Sequence, residues 1–278
     1  MSWFGEVAAE IDRLVVATHR AAQAQFPESE LATQLRAHPG LVNAVGALLI
    51  EGPVPVESVR VIYPYLPEHI FAALIDNNVA EGVVTIDNDI LTSTADGREQ
   101  ARLASELLDA AAASMWSGAH LDDVEATARV LVDVGRGLDP PVVPSAFAVT
   151  QALIDRPAQP GRVFRLLGAL RYWRADAHRA AWTAAGLNVR EAHALNRLWD
   201  LDRGAVRIGQ GEELPGTAGV AGLTSKGYAA DDAITERGRA ARADIETDTD
   251  ARTEPIYAEM DDSQRGAFLN GLRALPIS

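Results

Sequence analysis

Gly222-Leu223-Thr224-Ser225-Lys226-Gly227-Tyr228, then Asp231-Asp232-Ala233, then Ile234-Thr235-Glu236-Arg237-Gly238-Arg239, is the stretch on which the fold turns. Gly227 stands where a helix should end in a left-handed residue, because glycine has no Cβ to clash at positive φ. Thr235 leaves a short strand and is placed to cap the helix that follows, whose first turn carries Glu236. The same plan occurs earlier in the chain. Ala73-Leu74-Ile75-Asp76-Asn77-Asn78-Val79 leads to Gly82-Val83-Val84-Thr85-Ile86, a polar Asp87-Asn88-Asp89, and Ile90-Leu91-Thr92. A β-branched run, a polar turn and a second apolar run make a small hairpin. Ser93-Thr94-Ala95-Asp96-Gly97-Arg98 then opens a long helix. In this alignment Leu74 answers Leu223, Asn78 answers Gly227, and Thr92 to Gly97 answers Thr235 to Gly238. Asn78 therefore takes the helix-ending role and Thr92 the capping role.

Working outward, alanine-rich segments with apolar residues three and four apart dominate the chain, as in Val7, Ile11, Leu14 and Val15 or Leu103, Leu107, Leu108 and Ala111. That period predicts a mostly α protein. Three helices, a two-stranded wing and a further helix give the winged helix-turn-helix order, and a period this long, present twice, indicates duplication of a whole domain. The expected architecture is two tandem winged helix-turn-helix repeats with small β-hairpin wings, joined by a shared helical layer. Residues 1–137 form the first repeat and 161–278 the second. Between them, 138–160 is a linker punctuated by Pro140, Pro141, Pro144, Pro157 and Pro160, with a short helix around Ala146 to Ile154. The shared layer would draw on Val7 to Gln25 and Gln100 to Val134, with Gly161 to Ala185 and Gly238 to Asp250. Met115-Trp116-Ser117-Gly118-Ala119-His120 interrupts the second of these with a Ser-Gly pair.

Two runs in the second half carry resemblances. Ile234 to Arg239 looks like the end-of-wing signature of the multiple-antibiotic-resistance regulators (MarR type), in which Leu-Thr-x-x-Gly-Arg precedes a long dimerisation helix. The run Arg171-Tyr172-Trp173-Arg174-Ala175-Asp176-Ala177-His178, followed by Gly186-Leu187, resembles a family of actinobacterial tandem helix-turn-helix proteins with an Arg-x-Asp-x-His helix. The MarR resemblance implies that one chain does what two subunits do elsewhere, so a monomeric pseudo-dimer is expected. It also implies a cleft between lobe and helical layer of the kind that accepts planar anionic effectors.

Charge bears on DNA. The 278 residues carry 25 Lys+Arg against 39 Asp+Glu, a formal charge of −14. A chain so acidic must segregate its cations sharply to hold phosphates. It does not do so in the first lobe. The recognition-helix position there, Pro67 to Asp76, has no arginine or lysine, and from Val56 to Ile90 Arg60 faces Glu57, Glu68, Asp76, Glu81, Asp87 and Asp89. The second lobe is more balanced, with Arg190, Arg197, Arg203, Arg207 and Lys226 against Glu191, Asp200, Asp202, Glu212 and Glu213. Its recognition position, Leu214 to Gly222, is glycine-rich, which predicts a short or irregular helix bare of base-reading side chains. DNA binding is accordingly expected to be weak or absent.

Positive charge gathers elsewhere. Arg171, Arg174, His178 and Trp182 recur at spacings of three, four and four and so share a helix face, with Trp173 beside them. Guanidinium groups next to indoles suit a small aromatic or anionic amphipathic ligand, held bidentately by Arg174 and stacked by the tryptophans. Trp116 and His120 add a second cluster with Asp122 and Asp123. The same residues also suit an internal ion-pair network, with Asp176, Glu191, Asp122 or Asp123 neutralising the arginines and His178 bonding a backbone carbonyl. Asp176 and His178 are two residues apart, so their side chains diverge by about 200° on a helix and form no pair with each other.

Other chemistry is thinly represented. With 0 cysteines there is no disulfide, thiolate nucleophile or Cys-ligated metal. No phosphate loop, dinucleotide fingerprint or nucleophile motif occurs, and Gly209-Gln210-Gly211 is a lone Gly-x-Gly. No cofactor and no metal are expected. The N-terminus lacks a basic segment and no apolar run has the roughly 20 residues of a membrane span, so the expected setting is the cytoplasm. Together these features read as a small-molecule binding or sequestering protein on a degenerate MarR-like scaffold. The alternatives are a ligand-responsive DNA-binding transcriptional regulator, and an enzyme using His178 for acid-base chemistry.

Overall fold

The computed structural model describes residues 2–24, 52–64, 66, 68–151, 154, 159–204 and 216–277. Gln25, Tyr65, Pro157, Arg207, the Gly209-Gln210-Gly211 run, Glu212, Glu213, Leu214 and Pro215 lie outside them. The chain is mostly helical. Helix α1 (Trp3–Ala24) is followed by strand β1 (Val54–Pro55), helices α2 (Val56–Ile62) and α3 (Glu68–Ala80), and strands β2 (Val84–Asp87) and β3 (Ile90–Ser93). Helices α4 (Ala95–Met115), α5 (Asp122–Arg136) and α6 (Ala146–Thr150) lead to the long α7 (Gly161–Ala184). Helices α8 (Val189–Asp202) and α9 (Thr217–Ser225), strands β4 (Ala229–Ala230) and β5 (Ala233–Ile234), and helices α10 (Glu236–Thr253) and α11 (Asp262–Ala274) complete it.

Three cores organise these elements. The largest joins α1, α4, α5, α6, the first half of α7 and α11, with Leu14, Leu108, Leu131, Leu167, Trp173 and Leu272 all buried. Helices from both ends of the chain thus meet in one layer. A second core holds Trp182, Leu195, Leu198, Leu223, Ile234 and Ile245, and a third holds Val59, Phe71, Ile75, Val84 and Leu91. Helix α7 contributes Val163 to Trp173 to the layer and Ala181 and Trp182 to the second core, so it ties a lobe to the layer. At about 1.5 Å per residue its length suffices for both.

Both hairpins are made by the same bonds. Gly82 and Gly227 each have positive φ, 70° and 74°. Val83 donates to Asn78 O at 3.0 Å and Tyr228 donates to Leu223 O at 2.9 Å. At the tips, Asn88-Asp89 (φ 47° and 61°) and Asp231-Asp232 (φ 48° and 59°) make two-residue turns with both central residues left-handed, the turn whose twist matches paired strands. Thr94 and Thr235 then cap: each accepts from the amide three residues on, Gly97 or Gly238, at 3.0 Å. Each also donates back to a carbonyl before the hairpin, Gly82 O or Gly227 O, at 2.7 Å. A Cβ on Gly97 would lie 1.9 Å from Val83 O, and one on Gly238 would lie 2.2 Å from Tyr228 O. Glycine is required there by the hairpin backbone.

These bonds correct the alignment expected from sequence. Asn78 does not end α3; it sits inside it, its side-chain amide donating to Leu74 O at 2.8 Å. Gly82 is the counterpart of Gly227, Asn78 of Leu223, and Thr94, not Thr92, of Thr235. The error at the helix end is one turn, because a slip of four residues leaves the apolar stripe nearly in phase. Three further expectations change. The expected Gln100 to Val134 helix is two helices, α4 and α5, separated at Gly118, whose φ is 76°. Helix α9 is regular, and its glycines are packing residues: a Cβ at Gly219 would lie 2.5 Å from Arg190 O and one at Gly222 would lie 2.4 Å from Glu191 Oε1. The chain after Asp250 continues helical to Thr253 and adds α11, which packs against α1 and α5.

Among the described residues no helix is long and apolar enough to cross a membrane, and no group of three or more His, Asp or Glu side chains is arranged to hold a metal.

Candidate functional site

The densest polar cluster lies between α7 and α10. The inward stripe of α10 is Gly238, Arg242, Ile245, Thr249 and Thr253, with one aliphatic side chain among the five. Such a helix cannot be held by hydrophobic burial, so polar groups must match it to its neighbour. They do so in antiparallel order. Arg174 donates to Asp250 Oδ1 at 2.7 Å and to Glu246 Oε2 at 2.9 Å. One turn along α7, His178 Nδ1 lies 3.0 Å from Thr249 Oγ1 and 3.5 Å from Glu246 Oε1. Thr249 uses its own hydroxyl proton on Ile245 O at 2.7 Å, which leaves it an acceptor toward His178 and puts the imidazole proton on Nδ1. Arg242 reaches Glu246 Oε1 from the same helix at 2.5 Å.

Glu246 is the hub of this seam. Burial opposes its ionisation, but Arg242, His178 and Arg174 together overcome that and hold its carboxyl below the ordinary glutamate range. The complementary spacing is visible in the sequence once the partner is known. Arg242, Glu246 and Asp250 recur every four residues, as do Arg174, His178 and Trp182, so two antiparallel helices bring the two rows together rung by rung.

Asp176 faces the other way. It is 2 % exposed and accepts from Ser145 Oγ at 2.7 Å, Ala146 N at 3.1 Å and Phe147 N at 3.0 Å, with Arg179 at 3.4 Å. It thereby holds the first turn of α6. Burial pushes its carboxyl above the usual aspartate range in spite of these donors. The divergence expected between Asp176 and His178 is what allows the Arg-x-Asp-x-His run to grip α6 on one side and α10 on the other.

The remaining predicted site residues disperse. Arg171 ion-pairs with Asp12 of α1 at 2.5 Å and is half exposed. Trp173 is buried edge-on against Phe147, with ring centroids 5.1 Å apart. Trp116 is buried in the layer and donates to Pro276 O at 3.2 Å. His120 is exposed beyond the end of α4 and does not join the seam. Arg174, His178 and Trp182 alone of the predicted set lie along α10. Of the acids expected to neutralise the arginines, Asp176 contacts only Arg179 among them, Glu191 bonds Lys226 Nζ at 2.7 Å, and Asp122 accepts from Gln159 at 3.2 Å. Asp12, Glu246 and Asp250 serve instead. Two buried donors near this seam, the indole Nε1 of Trp182 and the Nε of Arg242, have no hydrogen-bond partner among the described residues.

The second lobe presents a different surface. In α9, Thr217, Ala218, Ala221, Thr224 and Ser225 are exposed, while Val220 and Leu223 point into the core. The close approach of Gly219 and Gly222 to α8 seats this helix firmly. Asn188 and Glu191 form a capping box at the start of α8, and burial of Glu191 is outweighed by Lys226 and the Asn188 amide, which hold its carboxyl low. Arg190 is exposed, Arg237 stacks over Tyr228 at 5.5 Å and Arg239 is bonded to Asp202.

A helix-turn-helix family matches residues 92–276 of the chain, from the second strand of the first hairpin through α11. No curated protein and no solved structure matches it.

Proposed function

The chain belongs to this helix-turn-helix family, and we propose that it is a DNA-binding transcriptional regulator that touches duplex DNA with the lobe formed by residues 189–239. The observation carrying this reading is that α8, α9 and the second hairpin fall wholly inside the matched stretch, with the outer face of α9 exposed and lined by small and hydroxyl side chains. Such a face lets helix backbone approach a groove closely, while Thr217 supplies a hydroxyl for a base edge or phosphate, and Thr224 and Ser225, whose hydroxyl protons go to Val220 O at 2.9 Å and Gly222 O at 2.7 Å, supply acceptors for base-edge donors. Arg190, Lys226 and Arg237 flank it. The sequestering role gives way in this reading because Arg174 and His178 are engaged by α10. The recurrence of hairpin, turn and threonine cap supports two tandem winged, MarR-like repeats over 1–137 and 161–278, arranged as a single-chain pseudo-dimer.

The test is fluorescence anisotropy with a duplex from the gene's own upstream region. Arg190 and Arg237 predict a shallow salt dependence, with log K falling by about 2 per decade of salt, since Lys226 is neutralised by Glu191 at 2.7 Å, and Arg190→Gln should lower that slope by about 1. Asp231→Asn with Asp232→Asn should tighten binding by removing two carboxylates from the hairpin tip. Absence of binding at low salt would remove the reading. A second reading, regulation by a small ligand at the α7–α10 seam, draws on the donors of Trp182 and Arg242, which have no hydrogen-bond partner among the described residues. A small aromatic carboxylate should then raise the thermal midpoint in a concentration-dependent way that Trp182→Phe abolishes.

A further inference from the structure

Helix α9 rests on α8 through one row of residues. Gly219, Gly222 and Lys226 recur at spacings of three and four and so share a face. A Cβ on Gly219 would collide with Arg190 O, and one on Gly222 would collide with Glu191 Oε1. The two glycines bring the helices close, but a surface without side chains leaves the roll of α9 about its own axis weakly defined. Lys226 ends the row at the C-terminal cap of α9, and its Nζ donates to Glu191 Oε1 at 2.7 Å.

Glu191 has three attachments. It is 5 % exposed and stands in the first turn of α8. Its Oε2 accepts from the Asn188 amide at 2.9 Å, which closes the capping box, while its Oε1 takes the lysine beside Gly222. One carboxylate therefore joins the start of α8, the surface under Gly222 and the end of α9. The charges also suit the helix ends, with the carboxylate at the positive end of α8 and the ammonium at the negative end of α9. Thr217, Ala218, Ala221, Thr224 and Ser225 are exposed on the rest of α9. A roll that carries Lys226 away from Glu191 turns these five with it.

We propose that Lys226 is a positioning residue for DNA recognition: paired to Glu191, it fixes the roll of α9, and with it which side chains meet the groove, and it holds no phosphate itself. This inference rests on the DNA reading of the lobe formed by residues 189–239. Without its cation, a buried carboxylate is costly where it stands. It would swing toward water through the space the lysine leaves, and the seat of Gly222 and the Asn188 cap would loosen together.

The experiment uses the full chain and the fluorescein-labelled upstream duplex, with anisotropy measured over a range of salt. Lys226→Met keeps the aliphatic stem and removes the charge. It should weaken binding by about tenfold with the salt slope unchanged, and the amides of α9 should exchange faster. Adding Glu191→Gln, which keeps the shape and the capping acceptor, removes the stranded charge. The double variant should recover most of the affinity at the wild-type slope although it has no cation at position 226. A phosphate contact by Lys226 would instead lower the slope by about 1 in both variants, with no rescue, and would overturn the proposal. Unchanged affinity in Lys226→Met, whatever the exchange rates, would overturn it too. If a far-ultraviolet spectrum shows Lys226→Met unfolded, the double variant against wild type still decides: near-equal affinity and slope support the proposal, and a tenfold loss or a lower slope defeats it. No binding by the wild type at low salt removes the DNA reading itself, a result seen before any variant is made.

Discussion

Replacing Asp176 should unlock α6 from α7, and the size of the effect follows from what its carboxylate holds. In Asp176→Ala the amides of Ala146 and Phe147 lose their acceptors in a buried site. Ser145 keeps one role, since its oxygen still accepts from Ala148 N at 3.0 Å. Each stranded buried donor costs roughly 1–3 kcal/mol, and relief of the desolvated charge offsets part of that. A net loss of about 3 kcal/mol is expected, read as a fall in the urea midpoint at unchanged m. The pH dependence has a definite sign. The folded-state pKa is raised above the ordinary aspartate value by burial, so the folded protein binds the proton more tightly than the unfolded chain. Its contribution to stability is therefore greatest below the ordinary aspartate pKa and is lost as pH rises through the raised folded value. Asp176→Asn cannot titrate, so the wild type should gain on it as pH is lowered from 6 toward 4. An Asp176→Ala midpoint within about 0.5 kcal/mol of wild type, or an Asp176→Asn variant with the wild-type pH slope, would refute this account of the site.

Three other perturbations test separate parts of the structure. Gly97→Ala and Gly238→Ala should each destabilise by at least about 2 kcal/mol, because the new methyl meets hairpin carbonyls at 1.9 and 2.2 Å; hydrogen exchange should localise the two losses to different hairpins. His19 is held down to about 4 by burial and by Arg171 and Arg165. A lowered folded pKa makes stability fall as pH drops from 6.5 toward 4, and His19→Gln should flatten that part of the unfolding profile. Arg174→Met leaves Asp250 without its guanidinium while Glu246 keeps Arg242 and His178. Its cost should be about 1–3 kcal/mol and should not grow on adding His178→Gln by the full single-mutant amount, since the two share Glu246.

The legible parts of the fold were those written in adjacent residues. The hairpins, their polar turns, the Thr235 cap and the helical period could be read directly, because each depends on bonds spanning a dozen residues or fewer; in the first hairpin the cap was read at Thr92, two residues short of Thr94. The alignment of the two hairpins was read one turn out at Asn78, since periodicity cannot distinguish a stripe from the same stripe shifted by four. Glycine at 219 and 222 looked like helix weakness and proved to be contact with α8, which nothing in its own neighbourhood reports. The site was legible as a face bearing Arg174, His178 and Trp182, but its partners on α10 lie 71 to 76 residues away, while Asp12 is 159 residues from Arg171 and Ser145 is 31 from Asp176.

Sequence by itself determined that the chain is mostly helical, where the two hairpins turn, and that Asp176 and His178 point apart, because backbone preferences and helical geometry are set locally. It also determined the sign of the charge on the first lobe. Only the tertiary structure decided which carboxylate meets which guanidinium, and hence that Arg174 and His178 bind α10. That choice depends on the antiparallel packing of two helices whose mutual register is fixed by the whole layer and not by any segment within it.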